Sequence, residues 1–316
     1  DKSFMKKIPK LGYKNHPIDP SFTKLYLDPN IARKSKIISK SFSLYKNKFP
    51  LPSLIEISNS GVCNRECSFC PRSDPEYNHK EEFINNELHD KIFKELSNFD
   101  YSGMVVYSGF CEPLLKKDVY RDIEAVRKYV PKATIELITN GDVLNNKRLK
   151  MLFESGLSTL LISVYDGEED VKKFQKMCDE NNLKKTQYVI RKRFLSKEQD
   201  FGITMSNRSG LLKNAEHSIQ PLSKSLDQIC NYPGYTFFVD YNGDVLMCSH
   251  DWGKQKILGN MNNNTLINIW NSDQALTARK KLINAERSFS PCNKCDVTGN
   301  LCGNTQAEAW RKNFNS

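Results

Sequence analysis

The segment GVCNRECSFCPRS, residues Gly61–Ser73, carries Cys63, Cys67 and Cys70 at the spacing C-x3-C-x2-C. It follows LIEIS (54–58), whose β-rich composition reads as a strand. Zinc sites commonly draw four N or S donors from two separated pairs. Here there are three thiolates, and the nearest histidine, His79, lies beyond a polar stretch. Three thiolates on a four-iron cluster would leave one iron open to a substrate or cofactor. A three-cysteine zinc or structural cluster is the alternative.

Outward from this segment, short β-rich runs recur: MVVYS (104–108), TIELIT (134–139), TLLISVY (159–165) and QYVIRKRF (187–194). Amphipathic stretches at 85–99, 119–130, 146–156 and 169–182 alternate with them, and Ile123, Val126 and Val130 recur at helical spacing. Strands alternating with helices imply βαβ units and a parallel sheet. Five or six units suit a partial barrel, with ligands at the carboxyl ends of its strands, where the cysteine segment begins. Beyond about residue 215 the pattern changes. YTFFVDYNGDVLMCS (235–249) reads as a hairpin turning at Asn242-Gly243. One helix is expected over 265–283, followed by the Cys-rich PCNKCDVTGNLC (291–302). The expected organisation is a basic, irregular extension over 1–50, an α/β partial barrel over 51–215 and a small β-hairpin-plus-helix domain over 216–316.

Apolar residues make up 39% of the 316, enough for a proper core, and no apolar run approaches a membrane span, so no membrane partner is expected. The formal net charge of +10 fits a solvated Lys-rich surface or an anionic ligand. No basic helix with interleaved aromatics marks a nucleic-acid face, so no nucleic-acid partner is expected. The opening residues lack the apolar stretch of a signal peptide, which makes a cytoplasmic location the expectation. Of ten cysteines, three fall at 63–70 and five at 230–302, with Cys111 and Cys178 alone. Clustered thiols in a large, unexported chain point to metal rather than to disulfides.

The motif CNRECSFC, C-x3-C-x-Φ-C, resembles the signature of the radical S-adenosylmethionine (SAM) enzymes. The resemblance implies a partial (β/α)6 TIM-like barrel and a [4Fe–4S] cluster on Cys63, Cys67 and Cys70. It also implies SAM as cofactor, split into methionine and a 5′-deoxyadenosyl radical by an electron from a donor such as flavodoxin or ferredoxin. By the family pattern Phe69 lies against the adenine, and Glu112, in SGFCEPLL, grips the SAM amino group, with Cys111 replacing a glycine. Thr139 and Asn140 of LITNG and Ser163 of LISVYDG match the ribose and carboxylate contacts. Arg191, on one strand face with Arg193, is a further candidate for the SAM carboxylate or a substrate phosphate.

The later cysteines, C-x12-G-x4-C then C-x2-C, resemble the auxiliary-cluster domains called SPASM and twitch. They imply one auxiliary [4Fe–4S] cluster on Cys230, Cys248, Cys292 and Cys295, with Cys302 either a spare thiol or a substitute ligand. The elements CEPLL, TNGDVLNNKRLKML, SNRSGLL and LGNMNNNTLINIW are similar to those of twitch-type dehydrogenases that oxidise a cyclitol alcohol. This similarity implies a small polar substrate, a sugar, aminocyclitol or nucleotide-linked sugar, with the auxiliary cluster as electron acceptor. Arg208 would face the substrate, while His250 and Asp251 stand where those enzymes have acidic residues, so the base is unassigned. The alternatives are an epimerase with Cys111 as hydrogen donor, a peptide maturase, and a non-catalytic iron–sulfur protein.

Overall fold

The computed structural model describes residues 29–194, 206–214 and 219–315. Its centre is one eight-stranded sheet in the order β10-β9-β8-β3-β4-β5-β6-β7. Strands β3 (Leu54–Ser58), β4 (Met104–Tyr107), β5 (Thr134–Thr139), β6 (Thr159–Val164) and β7 (Tyr188–Lys192) follow one another in parallel. Helices α2 (Asn86–Ser97), α3 (Val119–Tyr129), α4 (Asn146–Glu154) and α5 (Glu168–Glu180) alternate with them as the sequence pattern predicts. Polar side chains start these helices. Asn85 accepts from Leu88 N at 2.7 Å to cap α2, and Asn145 accepts from Arg148 N at 2.9 Å to cap α4.

Alternation along β3 sorts the two faces of the sheet. Ile55 and Ile57 pack with Ile92, Phe93, Ile123 and Val126 of the helix layer. Leu54 faces the other way, in a cluster with Met104 and Val106 of β4. Cys178, on α5, is fully buried in the larger cluster, a packing residue.

After the short helix α6 (Tyr232–Tyr235), the hairpin expected around Asn242-Gly243 forms, as β8 (Thr236–Asp240) and β9 (Asp244–Leu246) with Gly243 at φ +89°. It does not stand apart from the barrel. Strand β8 pairs in parallel with β3, setting Phe238 opposite Glu56, and β10 (Ile257–Asn260) closes the edge beyond β9. The change of pattern near residue 215 is therefore no break in the sheet. The single helix expected over 265–283 is two, α7 (Leu266–Trp270) and α8 (Asp273–Ile283), because Ser272 leaves the helical path and caps the second. After α8 the chain ends in α9 (Asn304–Asn315).

The basic extension is corrected too. Residues 1–28 lie outside the described ones, but 29–50 are ordered as α1 (Pro29–Lys40) and a two-stranded hairpin, β1 (Leu44–Tyr45) with β2 (Phe49–Pro50). Helix α1 lies against the inner face of the barrel, with Ile38 buried beside Leu54, Met104 and Val106. Its Arg33 and Lys34 pair with Glu136 of β5, a carboxylate with no exposed surface. A buried charge stripped of its partners costs several kcal/mol. Replacing Arg33 and Lys34 together by Ala should lower the unfolding free energy by about 3–5 kcal/mol in denaturant titration. A loss below about 1 kcal/mol, the scale of an exposed pair, would show that α1 is peripheral.

Candidate functional site

The cysteine loop leaves the carboxyl end of β3 and is held from two sides. Gly61 lies where a Cβ would come within 2.4 Å of Lys80 O, so only glycine fits. Arg72 is buried, and its Nη2 donates to Gly61 O at 2.6 Å and to Phe110 O at 2.8 Å, fastening the loop to the turn after β4. On the other side Arg65 Nη2 lies 2.5 Å from both Asp142 and Asp166, after β5 and β6. Those carboxylates hold its pKa above the ordinary arginine value. Sequence reading missed both arginines; a lone arginine in a cysteine loop gives no sign of partners so far away.

Cys63, Cys67 and Cys70 line a cavity of about 420 Å³ at this end of the barrel. Burial raises the pKa of all three thiols, that of Cys67 to about 11, so they are not free nucleophilic thiolates. A bound metal would displace their protons. Among the described residues no three His, Cys, Asp or Glu side chains converge as a single ion requires. Thiols spread around a cavity suit the separate corners of a four-iron cluster.

The residues matched to SAM contacts meet in the same cavity. Phe69 stacks on Tyr165, ring centroids 5.7 Å apart. Glu112 accepts from Thr139 Oγ1 and Asn140 N, each at 2.7 Å, and from Leu114 N at 3.1 Å. Burial outweighs these bonds and pushes its pKa up to about 7. Asn140 donates to Asn64 Oδ1 at 2.8 Å, tying the end of β5 to the cysteine loop. Arg191 donates to Ser163 Oγ at 2.9 Å, and Arg191 and Arg193 both reach the cavity wall.

Of the four candidate catalytic residues, Arg208, His250 and Cys111 line the cavity. Asp251 does not. It is fully buried and accepts from Gln255 N at 3.0 Å and Lys256 N at 2.8 Å, so its carboxylate shapes the turn after β9. Cys111 Sγ donates to Asn59 Oδ1 at 3.3 Å, and burial pushes the thiol to about 12. His250 lies edge-on to Tyr232, and burial lowers its pKa to about 3, so the ring is neutral. Its Nδ1, Arg208 Nε and Thr236 Oγ1 are buried without hydrogen-bond partners among the described residues, and all three residues line this cavity. Such orphaned polar atoms call for a polar ligand.

A second, smaller cavity is lined by Cys230, Cys248, Cys292 and Cys295. Arg287, on its wall, is buried and donates to four backbone carbonyls, those of Gln228, Ile229, Val297 and Thr298, at 2.7–2.9 Å. Gly299 passes so close that a Cβ would sit 2.5 Å from Cys230 Sγ. Cys302 is separate from these four. It packs against Leu54 and Ile38 and lines the first cavity, not the second. Tyr232 and His250 line both cavities and form a shared wall. Sequence reading also missed Glu56, which reaches the first cavity from β3.

Comparison with known proteins matches this geometry. The model of the radical SAM superfamily matches residues 57–236, and that of the SPASM iron–sulfur cluster-binding domain matches residues 230–296. The chain is 28% identical over 245 residues to an S-adenosyl-L-methionine-dependent 2-deoxy-scyllo-inosamine dehydrogenase of Niallia circulans, covering 77% of this chain and 92% of that one. It is 32% identical over 114 residues to a GTP 3′,8-cyclase of Aquifex aeolicus, 35% of each chain. The crystal structure of BtrN in complex with AdoMet and 2-DOIA superposes with a TM-score of 0.65 at 26% identity, covering 79% of this chain and 94% of that one. Among the described residues no helix is long and apolar enough to cross a membrane. The chain belongs to the radical SAM superfamily, with SAM, a SAM-binding [4Fe–4S] cluster and an auxiliary iron–sulfur cluster as its cofactors.

Proposed function

We propose that this enzyme oxidises a hydroxyl of a small polar substrate, a sugar, aminocyclitol or nucleotide-linked sugar, with the auxiliary cluster as electron acceptor. The observation that carries the reading is the shared wall: Tyr232 and His250 separate the polar cavity from the four-thiol cavity. An electron leaving a substrate in the first cavity would cross only this shared wall. The similarity to an aminocyclitol dehydrogenase over most of both chains supports the same chemistry.

Cys63, Cys67 and Cys70 would hold the SAM-binding cluster, and Cys230, Cys248, Cys292 and Cys295 the auxiliary one. When bound, SAM and its cluster supply a 5′-deoxyadenosyl radical that takes a hydrogen atom from the substrate. The stacked Phe69 and Tyr165 offer an aromatic face for the adenine. Glu112, Thr139 and Asn140 form one hydrogen-bonded unit for the amino and ribose groups of SAM. Arg191, steadied by Ser163, brings a cation to its carboxylate. Arg208 Nε and His250 Nδ1 lack partners among the described residues and are placed to bind substrate hydroxyls. The net charge of +10 favours an anionic group on the substrate. The reductant is an acidic one-electron donor of the flavodoxin or ferredoxin class, and ten cysteines without a disulfide suit a cytoplasmic location.

Anaerobic reconstitution should yield about eight irons per chain, four for each cluster. Replacing Cys63, Cys67 and Cys70 by Ala should remove about half of them and abolish SAM cleavage. Stoichiometric zinc without iron would refute the reading, and about twelve irons would refute a single auxiliary cluster.

Candidate compounds are screened by release of 5′-deoxyadenosine, and the reaction is then run in D2O. Oxidation predicts a product two hydrogens lighter, with no solvent deuterium on carbon. An isomeric product carrying one carbon-bound deuterium, lost in Cys111→Ala, would assign an epimerase instead.

A further inference from the structure

Oxidation of an alcohol needs a proton acceptor besides the electron acceptor, and the titratable groups around the cavity narrow the choice. Arg208 is a donor only. His250 is part of the wall shared with the four-thiol cavity, where its Nδ1 is placed to bind a substrate hydroxyl. Asp251 is committed to two backbone N–H groups and Glu112 to three protein donors. Glu136 is paired with Arg33 and Lys34, and burial keeps Tyr165 protonated. Among the described residues, Glu56 is the carboxylate that remains.

Its position is set by the sheet. Strand β3 lies between β8 and β4, and its other four residues are buried. Glu56 keeps more accessible surface than the other four, and it lines the cavity. Ser108 donates to its Oε1 at 2.6 Å, and Ser249, from the loop after β9, is a second donor. Lys34 of α1 acts on it through space, but lies 3.2 Å from Glu136. Tyr232, on the same cavity wall, lies close enough to feel the charge of Glu56. Thr236, on neighbouring β8, adds a hydroxyl without a partner. Desolvation outweighs the two serines and Lys34 and raises Glu56 above the ordinary carboxylate range, in the direction that suits a general base.

We propose that Glu56 is the catalytic base that takes the proton of the hydroxyl being oxidised. The proposal rests on the oxidation reading. The carbinol carbon first loses its hydrogen atom to the deoxyadenosyl radical. The O–H bond then breaks, its proton passing to Glu56. The remaining unpaired electron would leave, as the C=O bond forms, to the auxiliary cluster that Cys230, Cys248, Cys292 and Cys295 would hold. One hydrogen atom, one proton and one electron have left, which balances alcohol against ketone.

The test uses the reconstituted holoenzyme and 2-deoxy-scyllo-inosamine deuterated at its carbinol carbons. Deuterated 5′-deoxyadenosine and ketone are counted separately across pH. Glu56→Gln should still form deuterated deoxyadenosine, yet give about 10²-fold less ketone per deoxyadenosine, with the acidic limb of the pH profile gone. Glu56→Asp should recover part of the ketone. Ser108→Ala removes a bond that favours the carboxylate, so its acidic limb should move to higher pH, a readout that survives poor folding of Glu56→Gln. An unchanged ratio and pH profile in Glu56→Gln, or an unmoved limb in Ser108→Ala, would overturn Glu56 as the base while leaving oxidation intact. Deoxyadenosine without ketone from the unmodified enzyme would overturn the oxidation reading itself.

Discussion

The site depends on a buried guanidinium. Arg72 lies two residues beyond the last cysteine of its loop, and its donors reach the carbonyls of Gly61 and Phe110. It joins the start of the loop, its end and the turn after β4. A charge can be buried there because its hydrogen bonds are met, and removing any partner would leave the cation uncompensated. Cys63, Cys67 and Cys70 hang on this staple, and Arg65 holds the far side against Asp142 and Asp166. The thiols are therefore presented by a loop whose shape is set before a cluster binds.

Topology supplies the second constraint. Had the hairpin of β8 and β9 belonged to a separate domain, the two cavities could shift against one another. Instead β8 runs in parallel register beside β3, the strand that leads into the cysteine loop. Cys248 follows β9, and Cys230 precedes the short helix Tyr232–Tyr235 that leads into β8. The wall that Tyr232 and His250 share between the cavities goes with this shared sheet. The sheet's inner face also carries acidic groups, Glu56 and Glu136, which a hydrophobic lumen would exclude. Helix α1 answers Glu136 with Arg33 and Lys34, while Glu56 faces the cavity.

Much of this could be read from local chemistry. The spacing of the first three cysteines, the alternation of strand and helix, and the Asn242-Gly243 turn are short-range signals. Each depends on dihedral preferences or on side chains a few residues apart, so the sequence by itself determined the barrel class, the two cysteine groups and the hairpin. The split at Ser272 was missed because a serine within a helical pattern becomes a cap only when the chain turns there.

Tertiary structure decided the rest, because the deciding contacts join residues that no local pattern links. Asp142 lies 77 residues from Arg65, and Phe110 lies 38 from Arg72. Cys302 is one more cysteine in a cysteine-rich tail, and only packing against Ile38 and Leu54 takes it away from the other four. His250 and Asp251 are neighbours in sequence, yet the turn after β9 directs one ring into the cavity and the other carboxylate onto backbone N–H groups. Glu56 looked like a strand residue among apolar ones. Its role emerges once β4 and β8 flank it and the surface it keeps opens on the cavity, because burial, which governs a carboxylate's affinity for a proton, is a property of the assembled barrel and not of the chain.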